Sequence, residues 1–267
     1  MPADARQIRL TPESKWFEVI HGGGLKPGDE VILAPGVCAD GRRLEMNHRG
    51  TEGKPIVIHD TKHPGIIVYG TDGKGPNVIE RNVIWNTGDN GIQAAADAVI
   101  RNNVVFNSGG AGIYSRNHQS AVVGNLLITH NTVVNEGRVA LRIIAPAGNK
   151  FSGPVLVGDN ALYGATAIQA PRHAALSFGS NVGSGRLVGV DLEAAEWQGG
   201  GNAAADFVKG KLSFFPAPGS YLIGKGRKRD RPADFNGTKR TGSRDAGAYR
   251  SDPKGNPGWL IGPGFKK

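Results

Sequence analysis

Val99-Ile100-Arg101-Asn102-Asn103-Val104-Val105-Phe106-Asn107 carries the pattern on which the fold turns. Two apolar residues are followed by two polar ones, an Asn, and a second short apolar run. The same order recurs in Val78-Ile79-Glu80-Arg81-Asn82-Val83-Ile84-Trp85-Asn86, in Leu127-Ile128-Thr129-His130-Asn131-Thr132-Val133-Val134-Asn135 and in Leu156-Val157-Gly158-Asp159-Asn160-Ala161-Leu162-Tyr163-Gly164. The inner asparagines, Asn82, Asn103, Asn131 and Asn160, lie 21, 28 and 29 residues apart. A period in the twenties marks a stack of similar units rather than one folded sheet. A second column runs through Asn86, Asn107 and Asn135, with Gly164 in the fourth unit.

A third apolar run closes each unit after a turn: Gly91-Ile92-Gln93-Ala94, Gly112-Ile113-Tyr114-Ser115, Ala140-Leu141-Arg142-Ile143 and Ala167-Ile168-Gln169-Ala170. Val and Ile dominate these runs and no helical period persists, so they read as strands. They are too short to stand alone. Coiled and stacked, each pairs with its equivalent one turn above and below. The expected fold is all-β, a single-stranded parallel β-helix. The recurrent Asn has a physical use. Its amide bonds its equivalent in the next coil, and Asn is among the few residues tolerated in the left-handed backbone region that a sharp bend demands.

The ends differ from the middle. One domain is expected over 1–267, with an N-terminal cap and first coils at 1–75, regular coils at 76–190, and a C-terminal coil and irregular tail at 191–267. Ser14–Ile20 is expected to form a short capping helix, Asp191–Trp197 a second one, and the tail to pack along the outside of the solenoid.

Composition sets limits. The 267 residues include 41 Gly and 16 Pro, yet 39% are hydrophobic, enough for a core. A single cysteine, Cys38, rules out an intrachain disulfide and thiolate metal clusters and reads as a small buried hydrophobe. No run is long enough to span a bilayer. The N-terminal residues lack the apolar stretch of a signal peptide, so the chain reads as cytosolic or as exported with its leader removed. The net charge of +9 favours anionic partners. Its densest stretch, Lys225–Arg231, has no interleaved aromatics or reading helix, so no nucleic-acid partner is expected.

Several segments resemble the pectate-lyase-like right-handed parallel β-helix superfamily. These are Pro27-Gly28-Asp29-Glu30-Val31-Ile32-Leu33-Ala34-Pro35-Gly36, Gly50-Thr51-Glu52-Gly53-Lys54-Pro55-Ile56-Val57-Ile58, and, in the tail, Phe215–Ser220, Asp234–Thr238 and Asp245–Tyr249. The resemblance implies a right-handed solenoid, an exported protein (secreted or periplasmic), and a saccharide groove on the third strand with its flanking turns. It is specific for fold and weak for activity.

Alternation places the candidate chemistry. With Ile92, Ile113, Leu141 and Ile168 inward, Gln93, Tyr114, Arg142 and Gln169 face outward, followed by Ala95, Arg116, Ile144 and Pro171. His118, Arg172 and His173 stand in the adjoining loops. A uronate lyase needs a cation to neutralise the carboxylate and a base to remove the neighbouring proton. Arg142 is the expected clamp, and Arg116, Tyr114 or His118 the base. Gln93, Gln169, Arg172 and His173 are expected to bind substrate. His130, just before Asn131, is expected to be exposed on another face. The groove strands hold no Asp or Glu pair, which argues against a hydrolase. Asp89 and Glu136, with Asn107, offer a weak Ca²⁺ set, and no other cofactor is expected. Two readings follow: a monomer that binds an acidic polysaccharide and cleaves it by β-elimination, or a non-catalytic β-helix that binds a glycan or another surface.

Overall fold

The computed structural model describes residues 6–11, 13–21, 24–26, 29–33, 57–59, 64–70, 76–118, 120–209, 213–227, 233–258 and 261. Cys38, the turn at 34–36, residues 50–56 and the basic stretch 228–231 lie outside them. The elements run β1 (Gln7–Leu10), α1 (Trp16–Ile20), β2 (Glu30–Leu33), β3 (Val57–His59), β4 (Ile66–Val68), β5 (Asn77–Glu80), β6 (Val83–Trp85), β7 (Ile92–Ala94) and β8 (Ala96–Arg101). They continue with β9 (Val104–Phe106), β10 (Ile113–Ser115), β11 (Gly124–Thr129), β12 (Thr132–Ile143), β13 (Val155–Gly158), β14 (Ala161–Gln169), β15 (Leu176–Gly179), β16 (Val182–Val188), β17 (Gln198–Gly199) and α2 (Ala203–Asp206).

Every ladder between these strands is parallel, and each strand pairs with its equivalents in neighbouring coils. The strands before the inner asparagines form one sheet, in the order β5, β8, β11, β13, β15. Those after them form a second face, with β6 on β9, β9 on the start of β12, and β12 on β14 and β16. The third face runs β4, β7, β10, then the second halves of β12, β14 and β16. This is a parallel β-helix, all-β among the described residues apart from the single-turn helices α1 and α2 and a 3-10 turn at Ala147–Asn149.

Columns of like residues fill the interior. Ile79, Ile100, Ile128, Val157 and Phe178 come from the first face, Ile84, Val105, Val133 and Leu162 from the second, and Ile92, Ile113, Leu141 and Ile168 from the third. Each buried Ile or Leu contributes about 2–3 kcal/mol. The asparagine ladder runs through one corner. The side-chain Nδ2 of Asn82, Asn103, Asn131 and Asn160 donates to Oδ1 of the next rung at 2.9 Å each time. It extends one coil further than the repeat predicts, to Asn181. There the following Gly183-Ser184-Gly185 hides the apolar pattern while the rung persists.

Two expectations about this corner are corrected. The left-handed residue is the one before each rung: Arg81, Asn102, His130, Asp159 and Ser180 have φ of 52 to 57°. The rung asparagines therefore serve as bonded spacers, and their neighbours make the bend. His130 is buried, not exposed, with Nδ1 4.0 Å from Asp159 Oδ2. The reason is the tail. Arg227 N–H donates to Asp159 Oδ1, and Asn102 exchanges hydrogen bonds with Ala233 and Arg240, so this corner is covered.

The tail also seals the second face. Val83, Val104, Phe106, Ala161, Tyr163 and Val182 point outward there and meet Phe207, Phe214, Phe215, Leu222, Phe235, Ala248 and Tyr249. Strands covered on both sides need continuous rather than alternating apolar runs, which explains Val83-Ile84-Trp85 and Val104-Val105-Phe106. Gly247, at φ 89°, passes so close that a Cβ there would sit 2.8 Å from Thr132 Oγ1. The buried Asp206 carboxylate accepts from Tyr163 Oη (2.8 Å), Asn202 N (2.7 Å), Tyr221 N (2.7 Å) and Ser220 Oγ (3.3 Å). At the other end, α1 places Ile20 against Leu10, Leu25 and Val31. Asp191–Trp197 is a turn rather than a helix, and the helix α2 follows it.

Candidate functional site

The described part of the tail packs on the second face; on the third face the outward row is fixed by strand register. Ile67 pairs with Gln93, Gln93 with Tyr114, Tyr114 with Arg142, Arg142 with Gln169, and Gln169 with Val188. The expected inward partners, Ile92, Ile113, Leu141 and Ile168, are all buried. Six consecutive coils thus present one side chain each, roughly 4.8 Å apart.

Arg142 stands near the middle of the row. Its guanidinium carbon lies 5.8 Å from the centroid of the Tyr114 ring. Its Nε is buried and has no hydrogen-bond partner. Among the described residues Arg142 forms no ion pair. Leaving a charged donor unsatisfied costs about 1–3 kcal/mol or more, so such a group calls for an explanation. A contact over the Tyr114 face returns about 0.5–2 kcal/mol of that.

A second row begins two residues on. Continuing the pairings of Val68 with Ala94 and of Ser115 with Ile143 aligns Tyr69 with Ala95 and Arg116 with Ile144. Ala95 is fully buried and leaves room above it. The Tyr69 ring stacks on His118, with centroids 4.0 Å apart and planes 19° from parallel. Tyr69 Oη accepts from Gln93 Nε2 at 2.8 Å, and Gln93 Oε1 accepts from Asn90 Nδ2 at 3.1 Å. Burial pushes the Tyr69 phenol above its ordinary pKa. The Arg116 charge pulls it part of the way back, and Asp89 pushes it up. Tyr69 is therefore a neutral phenol at ordinary pH.

The structure brings Tyr114, Arg142, Arg116, His118 and Gln169 onto this one face, with Arg116 exposed. It does not do so for the other expected residues. Gln93 is buried behind Tyr69 and reaches the surface only through that hydroxyl. Arg172 turns to Asp191, 3.2 Å away. His173 packs on Phe151 at 4.5 Å, and its Nδ1 accepts from Ala175 N, which ties it to its own turn. Glu136 lines a shallow cleft with Tyr163, Ser184 and Asn202, a lining that does not include Asp89. Asn107 donates to Asn86 at 2.6 Å instead of facing either of them. Among the described residues no three His, Cys, Asp or Glu side chains gather as a metal set. Tyr69 and Asn90 escaped the sequence reading. The signal for Tyr69 was there: Ile66-Ile67-Val68 is one more third strand, and Tyr69 stands two positions beyond its outward residue.

Residues 47–156 match the family model of the right handed beta helix region. A parallel β-helix domain is thus present over part of the chain, consistent with the pectate-lyase-like superfamily and with a carbohydrate-binding scaffold. No curated protein and no solved structure matches the chain. Among the described residues no helix is long and apolar enough to cross a membrane.

Proposed function

We propose that the chain is an exported, monomeric β-helix protein that binds an acidic polysaccharide along its third face and cleaves it by β-elimination. The observation that carries the reading is Arg142: a guanidinium held over Tyr114 on the outward row, with no ion pair among the described residues. A uronate carboxylate pairs with the outer guanidinium nitrogens, which no described side chain engages, and not with the buried Nε. Charge-assisted bonds of this kind are about twice as strong as neutral ones. In the cleavage step Arg142 neutralises the carboxylate, and a base takes the proton from the adjacent carbon. Those electrons form the carbon–carbon double bond, and the glycosidic oxygen leaves with a proton. Arg116 is the base candidate whose side chain is exposed; the Tyr114 ring lies beneath Arg142, and His118 is stacked on Tyr69.

The same two engagements favour a second reading, in which the face binds glycan without cleaving it. One experiment separates the two. The protein is incubated with pectate, alginate and sulfated glycans, with and without Ca²⁺. Binding is followed by calorimetry and unsaturated product by its ultraviolet absorbance. Product from a uronate supports cleavage. Binding without product leaves the glycan-binding reading, and no binding to any acidic glycan rejects both.

A further inference from the structure

The hydrogen bonds behind Tyr69 have only one possible polarity. Ala111 N–H, which can only donate, bonds Asn90 Oδ1 at 2.8 Å. That fixes the Asn90 amide, so its Nδ2 is the group facing Gln93, and Gln93 must accept through Oε1. Gln93 then donates through Nε2 to Tyr69 Oη. Asn90 and Gln93 are 7% and 6% exposed, so neither amide is free to turn over in water. The Tyr69 oxygen is an acceptor on its inner side, and its own proton has no acceptor among the described residues. The His118 stack holds the ring plane. A backbone amide thus sets, through two buried side chains, the direction of one surface O–H donor.

We infer that Tyr69 forms a second saccharide subsite on the third face, where its hydroxyl donates to an oxygen of a sugar residue other than the one held by Arg142. This rests on the acidic-polysaccharide reading above. The distance follows from the coils. Tyr69 leaves β4 and Arg142 lies in β12, with β7 and β10 between them. Three steps of roughly 4.8 Å put their strands about 14 Å apart along the solenoid axis. An extended oligomer lying along the axis spans both strands. Arg142 supplies the charge recognition, and the Tyr69 subsite adds affinity that depends on length.

The test is calorimetric titration of wild type, Tyr69→Phe and Arg142→Gln with a galacturonate monomer and with oligomers from the dimer to the hexamer. Tyr69→Phe keeps the ring on His118 and removes only the O–H, and matched thermal melts verify its fold. Wild-type affinity is expected to rise with length. Tyr69→Phe should weaken the longer oligomers about three- to tenfold, the worth of one neutral hydrogen bond, and leave the monomer unchanged. Arg142→Gln should weaken every length. Equal binding of the hexamer by wild type and Tyr69→Phe overturns the subsite and leaves the acidic-polysaccharide reading standing. The same titration is run with alginate and sulfated oligomers, and failure of wild type to bind any of the three series overturns that reading, and the subsite with it.

Discussion

The guanidinium of Arg142 lies over the ring of Tyr114 with its Nε buried and unbonded, a cation positioned by the solenoid but not satisfied by it. Function and stability should therefore separate at this residue. Arg142→Met keeps the apolar stem and removes the charge. Uronate binding should fall about 10–100-fold, matching the roughly 1.5–3 kcal/mol of a hydrogen bond to a charged group. Thermal stability should hold or rise, because the lost ring contact is offset by removal of an unsatisfied donor. A variant that binds normally, or one that unfolds well below wild type, would show that Arg142 serves the fold.

The asparagine ladder should be least tolerant in its middle. Asn131 is fully buried. It donates to Asn160 Oδ1 and to Ile100 O at 2.9 Å, and accepts from the backbone and side chain of Asn103 at 3.1 and 2.9 Å. Asn131→Ala strands several of these groups at once and should cost about 3–5 kcal/mol in urea unfolding. Asn82, half-buried at the first described rung, donates but receives no bond from a preceding rung among the described residues. Asn82→Ala should cost about 1 kcal/mol. Equal costs at the two positions would mean that the rungs act as independent turn residues.

The scaffold was legible because stacking repeats one local solution: the polar step and the Asn recur, and their register puts Tyr114 and Arg142 on the same row. Contacts made by parts that do not repeat were not legible. His130 has the sequence surroundings of an exposed corner, yet it is buried beside Asp159, to which the tail is bonded. Arg172 and His173 follow the right strand, yet a distant Asp191 and a loop Phe151 claim them. Tyr69 was overlooked because its coil lacks the Asn step that identifies the others, although its strand pairs in register with β7.

Asp206 should control whether the tail stays docked. Its four bonds join α2 and the tail backbone to Tyr163 on the solenoid. Asp206→Ala leaves the Tyr163 hydroxyl and two backbone N–H groups without their acceptor, at a cost of about 3–5 kcal/mol. Limited proteolysis should then cut within 207–227 faster than in wild type. The Tyr163 phenol, held far above its ordinary pKa first by burial and then by Asp206, should titrate lower in the variant. Unchanged proteolysis would mean that the apolar contacts of Phe207, Phe214 and Phe215 hold the tail alone.

The N-terminal cap should be acid-sensitive. Asp29 accepts from Arg6 Nη2 at 2.6 Å and from Lys26 N at 2.8 Å, and the Arg6 bond does most to lower its pKa, from 3.8 to about 2. A carboxylate whose folded pKa lies below its unfolded value stabilises the fold fully above the unfolded pKa, and that contribution fades as pH falls toward the folded one. Amide exchange in β1 and α1 should therefore quicken between about pH 5 and pH 2, with no matching change attributable to Asp29 above pH 5. Arg6→Gln should raise the Asp29 pKa and flatten this dependence, and Asp29→Asn should remove it. An acid response of the cap that persists unchanged in Asp29→Asn would locate the responsible carboxylate elsewhere.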